Sequence, residues 1–214
     1  MKLSVPIGAA ALGVALSLAQ GPAAHAASTS STSREVTSTF ITSGAVAGIT
    51  GNKHVVQLHA YVDPWSEYVR GTVHDWTCPI GKNPPTSGKA ANGCVDQGAR
   101  EYLAGSYWYS GAGSASVVVA DGLASAAVSG VGGTATGPQC GGMVCFMAYD
   151  GPAVPFDLHF AATAPALTLA TVASGPSTQV ITVRSAKVTG TFEGLTAPGT
   201  SATLKQTVTT TYSG

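Results

Sequence analysis

Apolar and polar residues alternate with a period of two along most of this chain, and no stretch carries a convincing helical period. That period sends successive side chains to opposite faces of a strand, so each segment can bury one face and wet the other. The segments that carry it are 35–42, 54–63, 67–77, 101–109, 115–120, 123–129, 143–149, 156–163, 166–173, 178–183, 185–192 and 202–212. They are short and set apart by Gly, Pro, Asp or Ser, and parallel pairing would need crossover helices that the pattern lacks. The chain therefore reads as all-β: an antiparallel β-sandwich, Ig-like or jelly-roll-like, of about ten to twelve short strands. The Asp121-Gly122 pair reads as the two-residue turn of a hairpin.

The N-terminus has a separate logic. Lys2, the apolar run "LSVPIGAAALGVALSLA" and the small residues Ala24 and Ala26 predict a signal peptide over 1–26. The run is bracketed by Pro6 and Gly21-Pro22, too short for the roughly 20 apolar residues of a membrane span. Residues 27–33, mostly Ser and Thr, read as a flexible polar leader, and 34–214 as a single domain. The expected location is extracellular or cell-wall associated, and the alanine-rich, low-charge composition suits an exported protein of a high-GC actinobacterium. Ten Lys and Arg balance ten Asp and Glu, with no cluster of cations to neutralise phosphates, so nucleic acid is not an expected partner. No basic amphipathic helix or second long apolar stretch suggests membrane insertion.

Four cysteines in an exported chain read as two disulfides. Cys78 and Cys94 enclose "PIGKNPPTSGKAANG", a run of turn formers, and Cys140 and Cys145 enclose "GGMV". Three connectivities are possible, of which closure of these two local loops is the simplest. Paired C-x-x-C units or histidines at matching distance are lacking, so zinc is not expected, nor is any cofactor.

The stretch "QLHAYVDPWSEYVRGTVHDW", Gln57 to Trp76, concentrates much of the chain's chemistry. A loop from Pro64 to Glu67 would close a hairpin in which Val62 faces Val69, Ala60 faces Gly71 and Leu58 faces Val73 on the inner side. The outer side then pairs Tyr61 with Arg70 and Val55 with Trp76, and sets His59 diagonal to His74, within reach of a shared ligand. His59, Tyr61, Trp65, Arg70, His74 and Trp76 are the candidate ligand-binding residues. Cross-strand aromatic and charged pairs also occur on sheet faces that only meet solvent. "EYLAGSYWYSGAG" and "FDLHF" alternate in the same way, leaving His159 outward.

Catalytic motifs are lacking: no G-x-S-x-G, no H-E-x-x-H and no P-loop. Asp63, Glu67, Asp75 and Glu101 are the plausible carboxylates for glycoside hydrolysis, and only Asp63 and Glu67 lie close, across one turn.

A bridge over a long loop, then "GSAS", then "CGGMVC" followed by "FMAYDG", resembles the neocarzinostatin-type apoproteins over about residues 73 to 162. Those are secreted sandwiches that hold a small chromophore, so the resemblance implies a ligand cleft between sheets. The present chain is longer and carries further segments such as "RSAKVTGTFEGL", and no binding residue transfers. The expectation is a non-catalytic extracellular binding or cell-surface interaction module for a glycan, protein or small molecule. A small-molecule carrier and a secreted hydrolase are the alternatives.

Overall fold

The computed structural model describes residues 28–44, 51–86, 92–106, 113–141 and 144–212. The segment 1–26 expected as a signal peptide, the aromatic run Tyr107 to Tyr109 and the side chain of Cys145 lie outside the described residues. Twelve strands follow in order: β1 Ser28–Ser43, β2 Lys53–Val62, β3 Glu67–Thr77, β4 Val95–Ser106, β5 Gly113–Val119, β6 Ser125–Thr134, β7 Gly137–Gly141, β8 Val144–Ala148, β9 Ala153–Ala162, β10 Leu167–Ser174, β11 Ser177–Phe192 and β12 Leu195–Tyr212. All their pairings are antiparallel.

The expected pair of stacked sheets is not what the pairings describe. β12, β1, β2, β3, β4, β6, β9 and β11 are each bonded to the next, and β11 returns to β12, so the main sheet closes on itself as a barrel. Closure removes the exposed edges that two open sheets would keep. The β4–β6 join is thin, consisting of Tyr102↔Thr134 and Leu103↔Gly133. β7 and β8 form a separate hairpin that sets Cys140 opposite Cys145, as the second expected bridge requires.

Alternation fills the interior. Val36 and Phe40 of β1, Val56 and Leu58 of β2, Leu158 and Phe160 of β9, and Leu204 of β12 are buried there while their sequence neighbours point out. Gly71 of β3 is small for a reason: the Phe192 ring occupies the space a Cβ would need. The β5–β6 connection is longer than the two-residue turn the Asp-Gly pair suggests. It is a 3-10 turn over Asp121–Leu123, because Leu123 leaves the surface to plug the core.

Beyond the barrel, the strands β10, β11, β12 and β1 continue as a four-stranded ribbon. Ser28 to Ser33, expected as a polar leader, are the first part of β1, paired with Thr207 to Tyr212. Serine and threonine need no buried core to pair here: the β-branched threonines favour extended backbone and their hydroxyls keep both faces wet. The segments 178–183 and 185–192, expected as separate strands, form the single β11, with a bulge between Lys187 and Thr189 where the ribbon meets the barrel.

The Cys78–Cys94 disulfide is formed as expected. Its loop lies over Val55 and Trp76 at one end of the outer face of β2 and β3, making a small second core with Ile41. Among the described residues no helix is long and apolar enough to cross a membrane. Substituting Gly71→Ala should lower stability by about 1–3 kcal/mol, because the new methyl must displace Phe192. A urea midpoint equal to that of the unaltered protein would contradict this packing.

Candidate functional site

The outer face is organised from the turn between β2 and β3. The Asp63 carboxylate accepts the backbone N–H groups of Trp65 at 2.8 Å and Ser66 at 2.7 Å, and the Asp63 N–H donates to the Ser66 carbonyl at 2.9 Å. Asp63 therefore belongs to the turn, and the strands pair as Val62↔Glu67, Tyr61↔Tyr68, His59↔Arg70 and Val55↔His74. The expected register, with Val62 facing Val69, is off by two residues. A slip of two preserves the faces, so Leu58, Ala60, Val69 and Val73 are buried as expected. What changes is which outer side chains are neighbours.

His59 stands opposite Arg70, and His74 lies four residues further along β3, about 13 Å away at strand spacing, so the two imidazoles do not share a ligand. Tyr61 stacks on Tyr68 with ring centroids 5.4 Å apart, instead of covering Arg70. Arg70 pairs with Glu101 at 3.2 Å, and His74 bonds Asp96 at 2.7 Å with its ring against Trp76. Trp76 itself is 2% exposed beneath the disulfide loop and leaves the candidate surface. Trp65, at 79%, projects from the turn at the opposite end. His59, Tyr61, Arg70 and His74 thus share the outer face, Trp65 borders it, and Trp76 supports it from below.

The register shows how far that face extends. One row of outward side chains runs Arg70, His59, Thr37, Thr203, Ser185 across β3, β2, β1, β12 and β11. The next row on one side runs Thr72, Gln57, Thr39, Ser201, Lys187 across the same five strands. Together these rows line a groove of about 780 Å³. Further along β1 and β12, Ser31, Ser33, Glu35, Thr207 and Thr209 line a second hollow of about 350 Å³ with Tyr61, Asp63 and Trp65. The two hollows follow one line, about 26 Å from Ser31 to Thr39 at strand spacing. The disulfide loop stands at the far end, where Gln57 donates to the Thr86 carbonyl at 3.1 Å.

Hydrogen bonds tune the turn end. Partial burial pushes the Asp63 carboxyl up, but the bonds from Trp65, Tyr61 and Ser66 outweigh it and hold the group below the usual carboxylate range. Burial and the bond to Asp63 push the Tyr61 phenol up, so it stays a donor. At the other end, Gly98 N–H and His74 hold Asp96 low.

The pattern reading missed a polar cluster inside the barrel. His54 Nδ1 lies 2.7 Å from the Asp75 carboxylate and its Nε2 lies 2.9 Å from the Gly44 carbonyl, so both ring nitrogens face acceptors. Arg100 bonds Asp75 and, at 2.9 Å, Glu193, while its Nε donates to the Tyr102 hydroxyl at 2.7 Å. His54 is fully buried and Asp75 nearly so. Both sit on inward positions of neighbouring strands and face each other in the observed register. In a register displaced by two, His54 faces Thr77, which hides the pair. With one nitrogen committed to Asp75 and the other to a carbonyl, His54 has no position left to activate a nucleophile, and the cluster is structural. Among the described residues no group of three or more His, Cys, Asp or Glu is placed to hold a metal ion.

No protein-family model, curated protein or solved structure matches the chain. The likeness to neocarzinostatin-type apoproteins is thus confined to the cysteine layout and the sequence around it.

Removing one member of the cluster should cost more than its exposure suggests. Arg100→Met leaves Asp75 and Glu193 without their shared cation and should destabilise the fold by about 3–5 kcal/mol in urea titration. A loss under about 1 kcal/mol would show that the cluster does not hold this end of the barrel.

Burial pushes the Tyr102 phenol well up, the bond toward Glu193 adds to that, and Arg100 opposes it. A folded-state value above the unfolded 10.0 means that this stabilisation is complete below pH 10 and declines as pH rises beyond it. Unfolding free energies measured between pH 9 and about 11 should therefore fall, and fall less steeply in Tyr102→Phe.

Proposed function

We propose that this chain is a secreted, non-catalytic binding module, exported through the segment 1–26, that holds an extended hydroxylated polymer along its outer face. A glycan of a cell wall or extracellular matrix has that chemistry. The observation that carries the reading is the line of outward Ser and Thr side chains on β1 and β12, crossed at its middle by the Glu35–Lys205 ion pair, that joins two hollows between the exposed Trp65 and the disulfide loop. Hydroxyls offer donors and acceptors at strand spacing, and the rings of Trp65 and Tyr61 offer flat apolar plates against which a sugar ring can lie. The groove is open along its length, which suits a chain better than a compact ligand.

The alternatives fare less well for physical reasons. A carrier of an apolar molecule needs an interior cleft, and the barrel interior is filled by residues such as Phe40, Phe160 and Leu158. A hydrolase needs carboxylates free to act. Asp63 is bound into its turn, Glu67 accepts the Val117 N–H, Glu101 is held by Arg70, and Asp75 is held by Arg100 together with Glu193.

Affinity of the purified protein for a panel of soluble and insoluble polysaccharides tests the reading. At least one polymer should bind. Replacing Trp65 and Tyr61 together by alanine should weaken that binding about tenfold, or about 1.4 kcal/mol, with thermal stability little changed. Failure to bind any polysaccharide, or binding indifferent to both aromatic residues, would overturn it.

A further inference from the structure

We infer that the polymer is anionic, and that Lys187 and Arg70 take its charged groups from opposite walls of the groove. The inference rests on the binding reading above and adds the charge of the ligand. The groove is lined by Arg70, His59 and Lys187 and by no carboxylate. Three carboxylates stand beyond it, and all are engaged: Glu101 with Arg70 at 3.2 Å, Glu35 with Lys205 at 3.0 Å and with His59 at 3.7 Å on its other oxygen, and Asp63, in the second hollow, with the amides of Trp65 and Ser66. Lys187 is exposed and makes no ion pair among the described residues. Arg70 spends one end of its guanidinium on Glu101 and is 56% exposed, so its remaining donors face the groove.

The spacing gives these charges a use. Arg70 and Ser185 stand four strands apart on one row, about 19 Å, and Lys187 follows Ser185 along β11. Two cations on opposite walls, with a floor of neutral hydroxyls between them, suit a polyhydroxylated chain bearing anionic groups at intervals. Carboxylate, sulfate and phosphate groups would all satisfy the same donors.

Binding of the full-length secreted protein to immobilised polymers tests this. The probes are polygalacturonate, dextran sulfate and poly(glycerol phosphate), which separate the three anions, with dextran as neutral polymer and polyglutamate as charge without sugar hydroxyls. At least one of the first three should bind about tenfold or more tighter than dextran, and should weaken as sodium chloride is raised from about 0.05 to 0.5 M. Lys187→Glu combined with Arg70→Ala should bring the anionic polymers down to the affinity of dextran or below, while the protein melts as before. Equal, salt-independent binding of dextran and the anionic polymers would overturn the inference and leave the binding reading standing. Polyglutamate bound as tightly as the anionic glycans, or no binding at all, would overturn both.

Discussion

Two backbone hydrogen bonds accepted by the Asp63 carboxylate set the arrangement of the whole outer face. They draw Asp63 out of β2 and into the turn, and the position of a turn fixes every pairing in the hairpin it closes. From that pairing it follows that Arg70 is level with His59, His59 with Thr37, and Thr37 with Thr203. Had Asp63 remained in the strand, Arg70 would stand beside Tyr61, and the basic and hydroxyl residues would not line one groove. The bonds that place the carboxylate also hold it below the usual carboxylate range, so the stability they contribute is present above that range and is lost as pH falls through the lowered value.

The two sides of the wall have different duties. The inner side packs aliphatic and aromatic groups; at one end of β3 the Glu67 carboxylate accepts the Val117 N–H, and at the other end Asp75 and Glu193 converge on Arg100 and His54 closes the set. Such a cluster gains little over well-packed apolar residues in stability, yet it is costly to mispair. It therefore ties β2, β3, β4 and the β11–β12 turn into one relative placement. The outer side of β1, β2 and β3 carries few aliphatic groups except under the disulfide loop, where Trp76 and Val55 would otherwise be wet.

Much of this was legible in the residues. Alternation identified the strands, and β3 has the bounds the pattern assigns it. Inner and outer faces of β2 and β3 were readable because a period of two survives a slip of two. The Cys78–Cys94 loop was readable from its turn formers. Other features depend on partners that alternation does not name. Trp76 has outward parity and is buried all the same, because a loop folds over it. His54 and Asp75 have inward parity, and only the correct register makes them a pair rather than two misplaced charges. Closure of the sheet needs the long β11 to reach both β9 and β12, and Arg184 in its middle looks like a break between two strands when read locally.

The β4–β6 join is the shortest ladder in the barrel. A cylinder laced by long ladders on all sides but one will part first along its shortest lacing, where only the rungs at Tyr102 and Leu103 must let go. In the ring of strands that join lies on the far side from β1, the centre of the grooved face. Breathing of the barrel can thus be relieved at the back while the front keeps its shape.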